Sequence, residues 1–218
     1  MSNKLAVLVS GSGTLCEAMI KDRLPISLVL ADRKCRGIEI AKQAKIPTVV
    51  IQRRDFKQRP SLRDEKFTIA FVQCLIGYWI ARFLGKPPKF QREKFTKVLA
   101  ECLLEYGITH LAMAGFMTIL SESIFTKYGF AGRILNSHPS LLPAFKGETA
   151  VQDALAFGVK VTGTTIHIAT PKLDDGPIIA QEPVRVEEGD TVDTLWERIK
   201  VVERVLYPKA IRSLWGFQ

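Results

Sequence analysis

Short apolar runs take turns with amphipathic stretches along this chain, the rhythm of strands alternating with helices. Leu5-Ala6-Val7-Leu8-Val9 is apolar at every position, as a strand buried on both faces must be. Ser10-Gly11-Ser12-Gly13-Thr14 follows and leads into a helical pattern. Ile26 to Leu30 predicts a second strand, Gly37 to Ala44 a helix, and Pro47 to Ile51 a third strand. His110 to Met117 predicts a strand and its exit, Gly132 to Leu135 another strand, and Thr149 to Phe157 a helix. Lys160 to Thr170 predicts a strand with Thr165 and His167 on one face, and Thr191 to Trp215 a long helix. This alternation predicts an α/β fold: a doubly wound, mostly parallel sheet with helices on both faces.

The rhythm breaks between Arg53 and Gln91. Arg63-Asp64-Glu65-Lys66-Phe67-Thr68 resembles Arg92-Glu93-Lys94-Phe95-Thr96, and each runs on to a Cys-Leu pair, Cys74-Leu75 and Cys102-Leu103. A duplicated helix with Gly85-Lys86-Pro87-Pro88 as linker explains the likeness; so does chance similarity of two amphipathic helices. The first copy carries Phe71, Ile76, Tyr78, Trp79, Ile80 and Phe83, an apolar load that must be buried, with the partner subunit of a homodimer as one place for it.

At 218 residues, 47% hydrophobic and 24% charged, the chain is long enough for one well-filled core and short for two, so residues 1–218 read as a single domain. The net charge of +9 is dispersed, with no basic tail and no zinc or RNA-binding signature, so no nucleic-acid partner is expected. Such a field either draws in phosphorylated or polycarboxylate small molecules or is simply a solvated surface. Four cysteines without close pairing predict neither disulfides nor a metal site, and fit a reduced cytoplasm. No signal peptide is apparent, and the nearest approach to a membrane span, Ile69 to Leu84, is interrupted by Gln73 and Arg82.

Chemistry is suggested at two places. The strand, glycine loop and helix over residues 5–21 offer free amides for a phosphate, although paired glycines also serve simply to turn a chain. It is not the dinucleotide fingerprint, because Cys16 stands where a third glycine belongs and the strand read at Ile26 to Leu30 is not closed by an acid. Asn136 and His138 fall where a strand hands over to a loop, point to one side, and place an amide donor beside a titratable imidazole. That pair suits acyl transfer. Taken alone, the same residues are equally a capping asparagine and a satisfied histidine. Pro139 and Pro143 hold the following loop extended. The Leu173-Asp174-Asp175-Gly176-Pro177 turn supplies a carboxylate able to reach His138 and favour its imidazolium, and His167 reads as structural.

The run from Asn136 to Gly147, with Gly163-Thr164-Thr165-Ile166-His167 and Asp174-Asp175-Gly176-Pro177-Ile178-Ile179-Ala180-Gln181, resembles the formyltransferase family that uses 10-formyltetrahydrofolate. The likeness is dense from Leu111 to Pro208, thinner over the first strands, and absent between Lys57 and Gln91, which reads as a helical insertion at about 57–91. Within the family it is nearest the branch that formylates the amine of phosphoribosylglycinamide in purine synthesis. The resemblance implies direct transfer without a covalent enzyme intermediate. Asn136 and protonated His138 would stabilise the oxyanion, His138 acting as general acid and Asp174 keeping it charged.

It further implies that Gly11, Ser12, Gly13, Thr14 and Leu15 hold the acceptor's phosphate, with Leu15 replacing a family asparagine, and that Glu203 and Lys200 hold its ribose end. A surface ion pair is the other reading of Lys200. Arg92, Met117, Thr118, Ile119, Leu120 and Asn136 would line the folate slot; plain core packing accounts equally for Met117, and accounts for Met113. Asp175 is an added charge beside Asp174. A formyltetrahydrofolate hydrolase, a tRNA formyltransferase and a non-catalytic folate- or phosphate-binding homologue are the alternatives. The first two are expected to carry a further N-terminal or C-terminal domain.

Overall fold

The computed structural model describes residues 3–57 and 90–217. Its sheet has seven strands in the order β3-β2-β1-β4-β5-β6-β7. These are β1 (Leu5–Val9), β2 (Ile26–Ala31), β3 (Thr48–Val50), β4 (His110–Met113), β5 (Ile134–His138), β6 (Val161–Ile168) and β7 (Ile178–Arg185). The first five are parallel, and β6 and β7 complete the sheet antiparallel. The helices are α1 (Thr14–Lys21), α2 (Arg36–Gln43), α3 (Arg92–Glu105), the short α4 (Ser123–Thr126), α5 (Ala150–Phe157) and α6 (Val192–Trp215).

Alternate residues of the central strands feed two cores, which is why those strands are apolar throughout. Leu5, Val7 and Val9 face α1, α2 and α6, packing with Met19, Ile38, Tyr207 and Ile211. Ala6 and Leu8 face the other way, against Phe95, Leu99 and Leu103 of α3 and Ile124 of α4. α6 closes its first turn reciprocally: the Thr194 amide donates to the Thr191 hydroxyl (3.2 Å) and the Thr191 amide to the Thr194 hydroxyl (2.9 Å).

The strand and helix pattern places these elements correctly except for the short α4, which it did not anticipate, and with three further corrections. β5 runs on to His138 rather than ending at Leu135, because β6 pairs antiparallel with its polar end, Asn136 opposite His167 and His138 opposite Thr165. β7 was not anticipated: it is a largely exposed edge strand containing Pro183, so it lacks the apolar run that betrays a buried strand. β2 reaches Ala31, so Asp32 does close it. That acid is fully buried, however, and its carboxylate accepts from Thr118 Oγ1 (2.6 Å) and from Arg33 Nε (3.0 Å). Burial works to raise Asp32, and the hydrogen bonds from Arg33, Thr118 and Ser10 outweigh it and hold the carboxyl below its usual range. It therefore presents nothing to a nucleotide ribose.

The proposed duplication, the apolar load at Phe71 to Phe83 and the dimer built on it lie outside the described residues. The two ends of that stretch are described: Lys57 and Phe90 form an antiparallel bridge, and the Gln91 amide donates to the Phe56 carbonyl (2.8 Å).

Chain order reverses between β1 and β4, and ligands bind at such a switch point, beyond the carboxyl ends of the strands. Gly13 makes the β1 side possible. It caps α1 at φ 70°, and a Cβ there would lie 2.4 Å from Gly37 Cα, so two helix starts meet at bare backbone. Gly13→Ala is expected to lower stability by about 2–4 kcal/mol through strain and overlap, read as a drop in the urea unfolding midpoint.

Candidate active site

A cavity of about 390 Å³ opens at the switch point, walled by the residue 10–15 loop after β1, by residues 114–117 after β4, by β5 and by α6. A smaller one of about 120 Å³ adjoins it and shares Phe116, Ile119, Asn136, Leu173 and Asp174 as walls. Asn136 and Asp174 thus stand on the boundary between two compartments.

Period-two alternation along β5 puts Asn136 and His138 on one side. His138 is 5% exposed, and Asp174, on the β6–β7 turn, is 7% exposed. Asp174 Oδ2 lies 3.4 Å from His138 Nδ1 and accepts the Gly147 amide at 2.9 Å. His138 Nε2 lies 2.7 Å from the Phe145 carbonyl. An oxygen acceptor therefore faces each ring nitrogen, an arrangement that the two N–H groups of an imidazolium satisfy.

His167, on the neighbouring β6, settles Asn136. Its Nδ1 lies 3.1 Å from the Ile168 carbonyl, which only a protonated Nδ1 can satisfy. Burial pushes its pKa below the ordinary histidine value, so the ring is neutral and Nε2 is free to accept. Asn136 Nδ2 donates to that nitrogen at 3.2 Å, which fixes which end of the amide faces His167. The structural reading of His167 thus needs refining: it is a support within the site, and the shared face of Thr165 and His167 on β6 is the sequence signal for it.

The loop after His138 is tied down at its near end. The Thr165 hydroxyl donates to the Ser140 carbonyl (2.6 Å) and accepts the Leu142 amide (2.9 Å), while Gln181 Nε2 donates to the Leu142 carbonyl (3.0 Å). Prolines at 139 and 143 remove two amides from this stretch, and the Leu142 amide is met by Thr165.

Gly11, Ser12, Gly13 and Thr14 all line the larger cavity with open amides at the start of α1. Leu15 borders it as well, but its side chain is 4% exposed and belongs to the core, which accounts for an apolar residue there. Across the cavity, α6 presents Trp196, Lys200 and Glu203, four and three residues apart and so on one helix face. Trp196 escaped the sequence reading, although this spacing pointed to it. Lys200 Nζ lies 2.5 Å from Glu197 Oε1 and 5.5 Å from the Trp196 ring centre, so it makes the surface ion pair and borders the cavity together. Ser137 donates to Glu203, whose carboxyl is raised above the ordinary range chiefly by burial.

The residues assigned to a folate slot divide. Met117 and Ile119 are half exposed and line the larger cavity, and Ile119 also the smaller. Thr118 and Leu120 are buried walls of the smaller cavity, the Thr118 hydroxyl being committed to Asp32. Arg92 is the exposed first residue of α3 and lines neither cavity. Asp175 neither shares nor disturbs the His138 contact, being paired with Lys146 and Lys172.

The chain belongs to the formyl transferase family, whose profile matches residues 3–211. It is 36% identical over 216 residues to the phosphoribosylglycinamide formyltransferase of Mycobacterium tuberculosis, covering 97% of this chain and 84% of that protein. The Bacillus subtilis protein of the same name is 38% identical over 220 residues, covering 98% and 95%. Among solved structures, the phosphoribosylglycinamide formyltransferase of Anaplasma phagocytophilum superposes with a TM-score of 0.75 at 31% identity, covering 97% of this chain and 86% of that one.

Glu203 sets stability against site chemistry. An acid raised by burial gives up its proton first in the unfolded chain, so its contribution to stability falls as pH rises above the ordinary carboxylate range, near 4.3. Glu203→Gln is therefore expected to raise the thermal midpoint of the ligand-free protein more at pH 8 than at pH 5, as read by calorimetry.

Proposed function

We propose that this chain transfers the formyl group of 10-formyltetrahydrofolate to the amine of phosphoribosylglycinamide, the reaction of purine synthesis for which its relatives are named. One observation carries the site assignment: Asn136 and His138 share one side of β5, His138 on the larger cavity and Asn136 on the boundary of the two, with Asp174 3.4 Å from His138 Nδ1. The larger cavity takes the acceptor, with its phosphate on the Gly11–Thr14 amides and its ribose hydroxyls towards Glu203. The smaller takes the folate ring, against Leu120 and Thr118. Both ligands lie in one domain, and the three described cysteines are free thiols, in keeping with a cytoplasmic enzyme.

The neutral amine attacks the formyl carbon, and the carbonyl oxygen gains charge as the tetrahedral intermediate forms. Asn136 is held by His167 on one amide hydrogen and offers the other. The oxyanion takes the Nε2–H of His138 from the neutral Phe145 carbonyl, because a charge-assisted bond is the stronger. The carbon–nitrogen bond to the folate then breaks, the former amine loses a proton, and the departing nitrogen gains one by way of His138. Holding both reactants in adjoining compartments supplies much of the acceleration.

The test is spectrophotometric release of tetrahydrofolate, or of its dideaza counterpart, with and without phosphoribosylglycinamide. Release that needs the acceptor supports transfer; release without it makes the enzyme a hydrolase. Asn136→Ala, His138→Ala and Asp174→Ala are each expected to reduce kcat by about 10²-fold or more, with circular dichroism unchanged.

A further inference from the structure

The β6–β7 turn carries two adjacent carboxylates that go separate ways. Asp174 turns inward to His138 and the Gly147 amide. Asp175 turns outward, its side chain 32% exposed, and pairs with Lys172 at 2.7 Å and with Lys146. Lys172 belongs to the same turn as Asp175, whereas Lys146 comes from the loop that follows His138. The outer acid thus grips the side chain of residue 146, and the inner acid the backbone of residue 147.

That double grip falls where the loop has least else to hold it. Its near end is fixed by Thr165 and Gln181. Beyond Ala144, among the described residues, the ties are the two aspartates, the bonds to the Phe145 carbonyl from His138 and Ser140, and an edge contact of Phe145 with Phe157, itself 79% exposed. Phe145 and Asp174 sit at φ 50° and 48°, a left-handed conformation that costs a side-chain-bearing residue energy and persists only where surrounding contacts impose it. Pairing with Lys146 and Lys172 holds the Asp175 carboxyl down at about 2, so the clamp is ionised throughout the neutral range.

We propose that Asp175 is a positioning residue for formyl transfer, clamping Lys146 so that segment 145–147 keeps the Gly147 amide on Asp174 and thereby Asp174 on His138. The role rests on the formyl-transfer reading above. It acts on the orientation of the Asp174–His138 pair, not on either substrate, so it shows in kcat and leaves both KM values alone.

Steady-state kinetics on Asp175→Asn, Lys146→Gln and the double variant test this, together with amide exchange at Gly147 followed by NMR. A half-exposed pair predicts about a three- to fivefold loss of kcat in either single variant. The double variant should be no worse than one single, and both KM values should stay within about twofold, since the two residues act as one contact. Gly147 should exchange faster in Asp175→Asn. Wild-type kcat in Asp175→Asn, or single losses that multiply in the double variant, overturns the proposal. Should the unaltered protein transfer no formyl group, the functional reading fails instead, and unchanged Gly147 exchange in Asp175→Asn would separately sink the clamp.

Discussion

A carboxylate shut away from water has to be compensated, and the Asp174 side chain imposes that demand on everything around it. Its Oδ2 meets the Gly147 amide at 2.9 Å and His138 Nδ1 at 3.4 Å. Those groups come from the loop after β5 and from β5 itself, so the turn after β6 must fold back over the end of the sheet. Gly176 allows the return: a Cβ there would lie 1.7 Å from the Ile168 carbonyl, inside its van der Waals shell. The charge, the glycine and the antiparallel addition of β6 belong to one arrangement.

The parallel half of the sheet contributes the other ligand surface, and Tyr207 of α6 ties the halves together. Its hydroxyl, wholly buried, sits 3.0 Å from the Met113 carbonyl at the end of β4 and 2.7 Å from that of Leu135 in β5. Glu203, one turn earlier, reaches the cavity through Ser137. One helix thereby fixes the position of the strand carrying Asn136 and supplies part of the wall opposite the glycine loop. Core packing and ligand geometry are set by successive turns of α6, so a disturbance of one is felt by the other.

The fold was legible wherever burial is two-sided. β1 and β2 announce themselves because both faces are covered, and α6 because its apolar positions recur at helical spacing. β7 was not legible, because an edge strand needs only one buried side chain in several. At the site, Asn136, His138 and Asp174 were found from motif and spacing. The roles of His167 and Asp32 were not, because both depend on side chains distant in sequence, Asn136 for one and Thr118 for the other. The motif at Arg92 located the start of α3 without saying which way the first side chain looks.

The bridge between Lys57 and Phe90 has a consequence for the history of the chain. Residues paired across an antiparallel bridge lie about 4.5–5.5 Å apart at Cα, little more than the 3.8 Å of a single peptide step. A deletion rejoining these two positions would therefore need only a tight turn, leaving β3 and α3 where they stand. The cleft lies at the other edge of that join, among residues of β1, β4, β5 and α6. Neither Lys57 nor Phe90 lines a cavity, so a join at these two positions would leave the described walls of the cleft as they stand.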